Sequence, residues 1–346
     1  MSNIKRIDTL KKEHFLPEEE LALLLETALE EDRSYAAGVA RTAADEVFGK
    51  KIYFRALVEI SNYCRNNCYY CGVRRDNNNI LRYRLKEEDI LCACSEAYSL
   101  GLRTFVLQGG EDAYYTDEKL CKLINRIKTE YPDCALTLSL GERSKKSYQL
   151  LFDAGADRYL LRHETADCMH YSRLHPEEMS FANRVRCLEN LREIGFQTGC
   201  GFMVGSPYQT TKTVVKDLMY IKAFNPQMVG IGPFIPHKAT PLRDFKAGSA
   251  DDTVFLLSII RLLVPHAMLP ATTALGTIAQ GGRERGILAG ANVLMPNVSP
   301  YDARSNYKIY ENKLGSEDKS SDSVETAKKL VESIGYEVHE GRGDYF

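Results

Sequence analysis

Three cysteines in the run SNYCRNNCYYCG, Cys64, Cys68 and Cys71, are spaced C-x3-C-x2-C. Thiolates this close can wrap one corner of a [4Fe–4S] cluster. A fourth ligand would complete an electron carrier, whereas three leave one iron open to an exchangeable chelating molecule. One electron from a reduced cluster can then break a bond in whatever is chelated there. The same residues have blander uses: a zinc site, which wants four ligands commonly arranged as two close pairs, an electron-transfer cluster, or three buried thiols. No second Cys/His pair with zinc-finger spacing occurs, and no fourth cysteine stands at ferredoxin spacing in the loop. Chance produces the spacing in about one chain per hundred of this cysteine content, so the flanking residues must carry part of the argument.

The spacing is similar to the mark of the radical SAM enzymes, in which the amino and carboxylate groups of S-adenosylmethionine (SAM) chelate the open iron. Other residues suit that chemistry. In Gly109-Gly110-Glu111 the paired glycines let backbone come close to a ligand, and a carbonyl or carboxylate there can accept from the SAM ammonium. A turn is the alternative. Arg162 and Glu164 end the apolar run YLL; two apart on an extended chain, their side chains would share a side. Arg184 could hold a carboxylate by a bidentate bond, with solvated exposure as the default. Tyr70 stands between two candidate ligands, where it could reach the adenine or simply pack the loop. His237 in PHKATP is a weaker ligand candidate. Burial as small hydrophobes is expected for Cys92, Cys94, Cys121, Cys134, Cys168, Cys187 and Cys200.

These groups need a scaffold. Apolar strand candidates lie near residues 53–60, 104–108, 135–140, 157–162, 198–204, 227–232, 267–273 and 291–295, separated by amphipathic stretches near 86–100, 116–129, 144–154, 178–195, 210–224, 250–264 and 280–288. Strands alternating with helices of this length argue for parallel βαβ units. The count and size match an α/β fold of the (β/α)8 TIM-barrel type. A doubly wound sheet would usually place a glycine-rich turn after strand one, where this chain has its cysteines. In a barrel the site lies at the C-terminal strand ends, and the polar clusters fall there: the cysteines after strand one, 108–112 after strand two, Ser139 and 141–142 after strand three, 162–165 after strand four, and Thr272 and Thr273 after strand seven. Two helical patterns, 17–29 and 33–48, precede the barrel. A further helix near 322–334 and the tail EVHEGRGDYF follow it, and the tail is expected to close the fold, with its end free to fray. The expected division is an N-terminal helical segment 1–49, a barrel 50–300, and a closing segment 301–346 of the same domain.

At 346 residues the chain can bury a large core. Its net charge of −2 offers no basic surface for nucleic acid. No apolar run approaches the roughly 18 residues of a membrane span, and the N-terminus carries no secretory pattern. Ten cysteines without such a signal imply a reducing cytosol.

The runs EISNYCRNNCYYCGVRRDNNNILRYRL, VLQGGEDAYY, LTLSLGE, AGADRYLLRHETA, MVGIGPFIPHKATPL, PATTALGT and GANVLMPN closely resemble the HydE family of [FeFe]-hydrogenase maturases. Methylornithine synthase and biotin synthase share the cluster motif, and an amino-acid mutase of the methylornithine type is the alternative within the class. The resemblance implies one [4Fe–4S] cluster on Cys64, Cys68 and Cys71, and SAM held in part by Tyr70, Gly110, Glu111, Ser139, Glu164, Arg184 and Met228. Substrate would lie deeper, near Gln108, Arg162, Thr272 and Thr273. It implies a small iron–carbonyl–cyanide–cysteine substrate supplied by another maturase, with which contact would be transient, and an external electron donor. Some family members bind a second cluster through further C-terminal cysteines; ENKLGSEDKSSDSVETAKKL has none, so a single cluster is expected.

Overall fold

A computed structural model describes residues 1–315 and 319–345; residues 316–318, within the stretch compared with the second-cluster site, and residue 346 lie outside it. The strands are β1 (Lys51–Phe54), β2 (Ala56–Ser61), β3 (Thr104–Gly109), β4 (Ala135–Ser139), β5 (Arg158–Leu160), β6 (Gln197–Cys200), β7 (Met203–Val204), β8 (Met228–Val229), β9 (Gly232–Pro233), β10 (Val293–Leu294) and β11 (Glu337–His339). All ladders are parallel. A six-stranded sheet runs β2-β3-β4-β5-β6-β8, a second sheet runs β10-β1-β11, and β7 pairs with β9. The fold is therefore α/β with a parallel sheet, as the alternation requires. Isolated bridges join Met228 to Met268, Pro270 to Val293 and Leu57 to Asn297.

Several expected elements are divided. The strand at 53–60 breaks at Arg55, because β1 pairs with β10 and β11 while β2 pairs with β3. The strand at 198–204 breaks at Gly201 (φ +149°), where a Cβ would stand 2.0 Å from the Gly230 carbonyl oxygen. Residues 267–273 make only single bridges, since Pro270 has no N–H for a ladder. Thr272 and Thr273 are helical rather than strand residues: Thr272 caps the helix Thr273–Ile278. The helices Asn3–Glu13 and Cys168–Leu174 had no counterpart in the sequence reading. The first is short and mostly polar, and buries only Arg6, Ile7 and Leu10. The long helix Glu30–Phe48 packs along Ala250–Leu263, and Arg41 donates to the carbonyls of Ile287 and Ala291 at 2.9 and 3.0 Å.

β11 pairs with β1, and beyond it Asp344 reaches the fully buried Arg158 at 2.6 Å. Arg158 also donates to Thr104 Oγ1 and Gln197 Oε1, at the N-terminal ends of β3 and β6. Burial pushes the Asp344 carboxyl up, but the Arg342 and Arg158 guanidiniums outweigh it and hold it below the usual range. A depressed folded pKa stabilises above the unfolded pKa and is lost as pH falls through the folded one. Asp344→Ala should cost about 1–2 kcal/mol, a discounted figure because Asp344 is partly exposed. In thermal melts that difference should hold above about pH 5 and vanish below about pH 3.

Candidate active site

The loop after β2 is a hydrogen-bonded unit built on Arg82. Its guanidinium donates to the carbonyls of Val73, Arg74 and Asn77 at 2.8, 2.6 and 3.1 Å, and to that of Asn62. Asn77 Nδ2 returns a bond to the Gly72 carbonyl at 2.6 Å. Asn62 spans from the Leu81 carbonyl to that of Asn306, at 2.8 and 2.9 Å. The loop is pinned to β3 by Gly110 N–H to the Ser61 carbonyl (3.2 Å) and Arg65 N–H to the Glu111 carbonyl (2.9 Å). A Cβ at Gly110 would lie 2.2 Å from the Tyr63 oxygen and 2.7 Å from Cys64 Cβ. Gly110 is therefore required by close packing on the cysteine loop itself. Gly110→Ala should displace that loop by about 1 Å and lower activity roughly 100-fold; iron content and SAM cleavage measured together on the purified variant check this.

All three cysteines are half-buried, and their thiols are close enough to influence one another. Burial raises the Cys68 thiol well above the usual range, and the neighbouring Cys71 and Cys64 raise it further. Burial, with Cys64 beside it, brings Cys71 to about 12. Three thiols that disfavour one another's ionisation, in a loop rigidified by backbone bonds, make a donor set that only a multiply charged cationic centre can keep as thiolates. The residues present fit a cluster bound by three cysteines. The nearest further sulfur is Met179 Sδ, 3.7 Å from Cys68 Sγ. Tyr70 is anchored: burial, then Arg184, lowers His175 to about 3, so the ring is neutral. Its Nδ1 donates to the Tyr171 carbonyl at 3.0 Å, and Nε2 accepts from the Tyr70 hydroxyl at 3.1 Å.

From this loop a chain of contacts runs along the strand ends. Arg65 Nε donates to Glu111 at 2.9 Å, and Glu111 accepts the Glu142 N–H at 2.8 Å. Glu142 accepts from Arg184 Nε at 2.5 Å, Arg184 Nη1 donates to the Arg162 carbonyl at 2.6 Å, and Arg162 meets Glu164 at 3.1 Å. Gly141 (φ +74°) is needed because a Cβ would collide with Glu111. Tyr70, Gly110, Glu111, Glu164, Arg184 and Arg162 thus come together, and Arg184 is buried rather than solvated. Arg162 and Glu164 meet although Glu164 is not extended (φ +64°). A cleft of about 630 Å³, lined by Arg65, Glu111, Glu142 and Asn183, opens beside them.

Other expected residues stand apart from that chain. Ser139 and Gln108 are cross-strand partners, and Gln108 bonds the buried Tyr307 hydroxyl. Met228 lies at an enclosed cavity of about 30 Å³ with Arg55, Met268 and Met295, and accepts from Arg55 Nη1 at 2.8 Å. Thr272 serves as a helix cap. His237 packs against Gly72, with Nδ1 accepting the Ala239 N–H at 3.1 Å. Cys94, Cys134, Cys187 and Cys200 are buried as expected, but Cys92 and Cys168 are exposed and Cys121 is half-buried, on outer helix faces.

Residues 306–314 run from the cysteine loop to the helix Thr273–Ile278. The Gly72 N–H donates to Ile309 (2.8 Å), the Leu314 N–H to Thr277 Oγ1 (3.1 Å), and Lys313 pairs with the fully buried Glu59. Sequence reasoning missed Arg82, Glu142's role and this pair. Arg55 and Glu59 did leave a signal: two charges an even number of residues apart in an apolar strand face one side.

The model of the radical SAM superfamily matches residues 58–221. The chain is 41% identical over 339 residues to the [FeFe] hydrogenase maturase subunit HydE of Thermotoga maritima, covering 97% of this chain and 95% of that protein. It is 29% identical to the 3-methylornithine synthase of Methanosarcina acetivorans, over 84% and 83% of the two chains. Among solved structures, methylornithine synthase superposes with a TM-score of 0.85 at 24% identity, over 96% of this chain and 97% of that one. The maturase HydG superposes at 0.81 with 21% identity, over 98% and 76%. At such identities the superpositions speak for the fold alone.

Proposed function

We propose a function from the premise that the chain belongs to the HydE family of radical SAM enzymes, to which 41% identity over 97% of its length assigns it. It is a radical SAM enzyme of [FeFe]-hydrogenase maturation, with a [4Fe–4S] cluster and SAM as cofactors. Cys64, Cys68 and Cys71 would hold the cluster, and Tyr70, Gly110, Glu111, Ser139, Glu164, Arg184 and Met228 would hold SAM in part. When bound, the pair supplies reductive cleavage of the SAM sulfonium and a 5′-deoxyadenosyl radical.

The chain's own residues orient and enclose. Arg82 and Asn62 fix the cysteine loop, so the thiols are placed before the cluster arrives. Glu111 and Glu164 present carboxylates to the cationic end and hydroxyls of SAM, while Arg184 neutralises Glu142 between them. Gln108, Arg162, Thr272 and Thr273 face a substrate deeper in the fold, and residues 306–314 would shield it from water. The substrate is a small iron–carbonyl–cyanide–cysteine complex, received from another maturase, with the electron coming from an external donor. All ten cysteines are free, which suits a reducing cytosol, and no described helix is long and apolar enough to cross a membrane. A single cluster is proposed, since residues 311–330 contain no cysteine.

We read the sheet as a closed (β/α)8 barrel, with 1–49 and 301–346 part of the same domain. Cross-strand partners lead from Val58 through Leu107, Leu138 and Tyr159 to Thr198. One residue on, Gly199 leads through Met228 to Met268, and two residues on from there Pro270 leads through Val293 to Tyr53. Net of those three forward steps, the circuit returns to the first strand eight residues lower, a stagger that supports closure, since such barrels have a shear of about 8.

The observation that carries the proposal is the three-cysteine loop seated on Gly110 at the head of the Glu111–Glu164 contact chain. Complementation tests it: cells lacking their own HydE should regain hydrogenase activity when given this chain. Methylornithine formation without such rescue would reassign it.

A further inference from the structure

Glu164 lies in the left-handed region at φ +64°, a conformation unfavourable for a residue with a Cβ. Such a conformation persists only where its surroundings over-determine it. Gly201 clasps the strand end twice: its N–H donates to His163 Nδ1 at 3.2 Å, and its carbonyl accepts the Glu164 N–H at 3.0 Å. Because Nδ1 accepts, the ring proton of a neutral His163 sits on Nε2. Nε2 lies 3.3 Å from Asp217 Oδ1 without meeting it in hydrogen-bond geometry. The same carboxylate oxygen accepts the N–H of Ala166, two residues beyond Glu164. Asp217 projects from the helix Thr211–Phe224, and both it and His163 are fully buried.

This pair is costly. Among the described residues no lysine or arginine forms an ion pair with Asp217, and its Oδ2 has no hydrogen-bond partner. Buried polar groups with unsatisfied atoms are often no more stable than apolar filling of the same volume. What these residues secure, together with Gly201, is the segment from His163 to Ala166, held at two backbone N–H groups and one ring nitrogen.

We propose that His163 and Asp217 are positioning residues for SAM, locking Glu164 in the left-handed turn that keeps its carboxylate beside Arg162. The inference rests on the reading that Glu164 contacts SAM. Without the lock, Glu164 relaxes to an ordinary conformation and its carboxylate leaves the rim. The cysteine loop, anchored by Arg82 and Gly110, stays in place.

The test is a SAM titration of the reconstituted, reduced full-length enzyme, followed by the EPR change of its cluster, for wild type, Asp217→Asn and His163→Asn. Tyr220→Phe is the control: that ring packs on His163 at 4.8 Å, and its hydroxyl has no partner. Both clamp variants should raise the SAM concentration for half-saturation about 10–100-fold, as loss of supporting bonds does elsewhere. Iron content should be unchanged, and the cleavage rate at saturating SAM should stay within about twofold, a KM effect rather than a kcat effect. Tyr220→Phe should match wild type. Glu164→Gln should weaken SAM binding by itself, and adding Asp217→Asn to it should do little more, because the clamp acts through Glu164. Should Asp217→Asn give no soluble protein, His163→Asn decides alone. Unshifted half-saturation, full additivity with Glu164→Gln, or iron lost in step with the SAM response overturns the clamp. A wild type without any SAM response overturns the site reading along with it.

Discussion

Replacing Cys64, Cys68 or Cys71 singly by alanine should reduce SAM cleavage to the no-enzyme background, and replacing all three should be no worse. The non-additivity is the informative part. Groups that act as a unit lose nearly all their effect with the first member removed. A three-ligand cluster has no spare ligand: the nearest further sulfur is the Met179 thioether, which cannot supply the missing negative charge. The exposed Cys92 and Cys168 serve as controls, and their alanine variants should retain full activity. Iron content and 5′-deoxyadenosine release, measured on the same preparations, check both halves. Residual turnover in any of the three single variants above that of the triple variant would count against the ligand assignment.

The second large effect is expected at Glu59 and Lys313. Both are buried, Glu59 fully, and the pair ties residues 306–314 to β2. Lys313→Met leaves the Glu59 side chain inside the fold with, among the described residues, only the Asn297 amide at 2.9 Å. Removing one partner of a buried pair costs about 3–5 kcal/mol, which for a chain of this size lowers Tm by roughly 5 °C. Removing both charges, as Glu59→Gln with Lys313→Met, should recover most of that loss, since the penalty is the unpaired charge rather than the missing contact. Thermal melts of the two single variants and the double variant close the cycle. Hydrogen exchange should rise first at residues 306–314, because that segment is held by a few bonds at its ends. A double variant as unstable as Lys313→Met would show that packing, not charge, holds the segment.

The parallel α/β architecture was legible because strand and helix periodicities alternate so regularly from residue 51 onward. The cysteine loop was legible from its spacing taken together with the flanking runs. What the sequence hid depends on partners distant along the chain. Arg82 reads as one more basic residue after an asparagine run, yet its guanidinium folds the loop by binding carbonyls up to twenty residues upstream. Arg184 looks like a solvated helical arginine until β4 brings Glu142 against it. Gly110 was rightly singled out for close approach, but the group it admits is the Tyr63–Cys64 backbone. Thr272 and Thr273 were placed at a strand end because ATT follows an apolar run, whereas Pro270 denies that strand its ladder and Thr272 opens a helix instead. Pairs such as Lys313 with Glu59, separated by most of the chain, leave no local pattern.

The most direct measurement is EPR of the anaerobically reconstituted, dithionite-reduced protein with and without SAM, coupled to chromatography for 5′-deoxyadenosine. The expected result is one [4Fe–4S] signal per chain whose line shape changes when SAM is added, with 5′-deoxyadenosine formed only in the presence of both SAM and reductant. A reduced cluster whose spectrum ignores SAM, or protein that takes up zinc and no iron, would contradict an open iron in the Cys64–Cys71 loop and with it the enzyme described here.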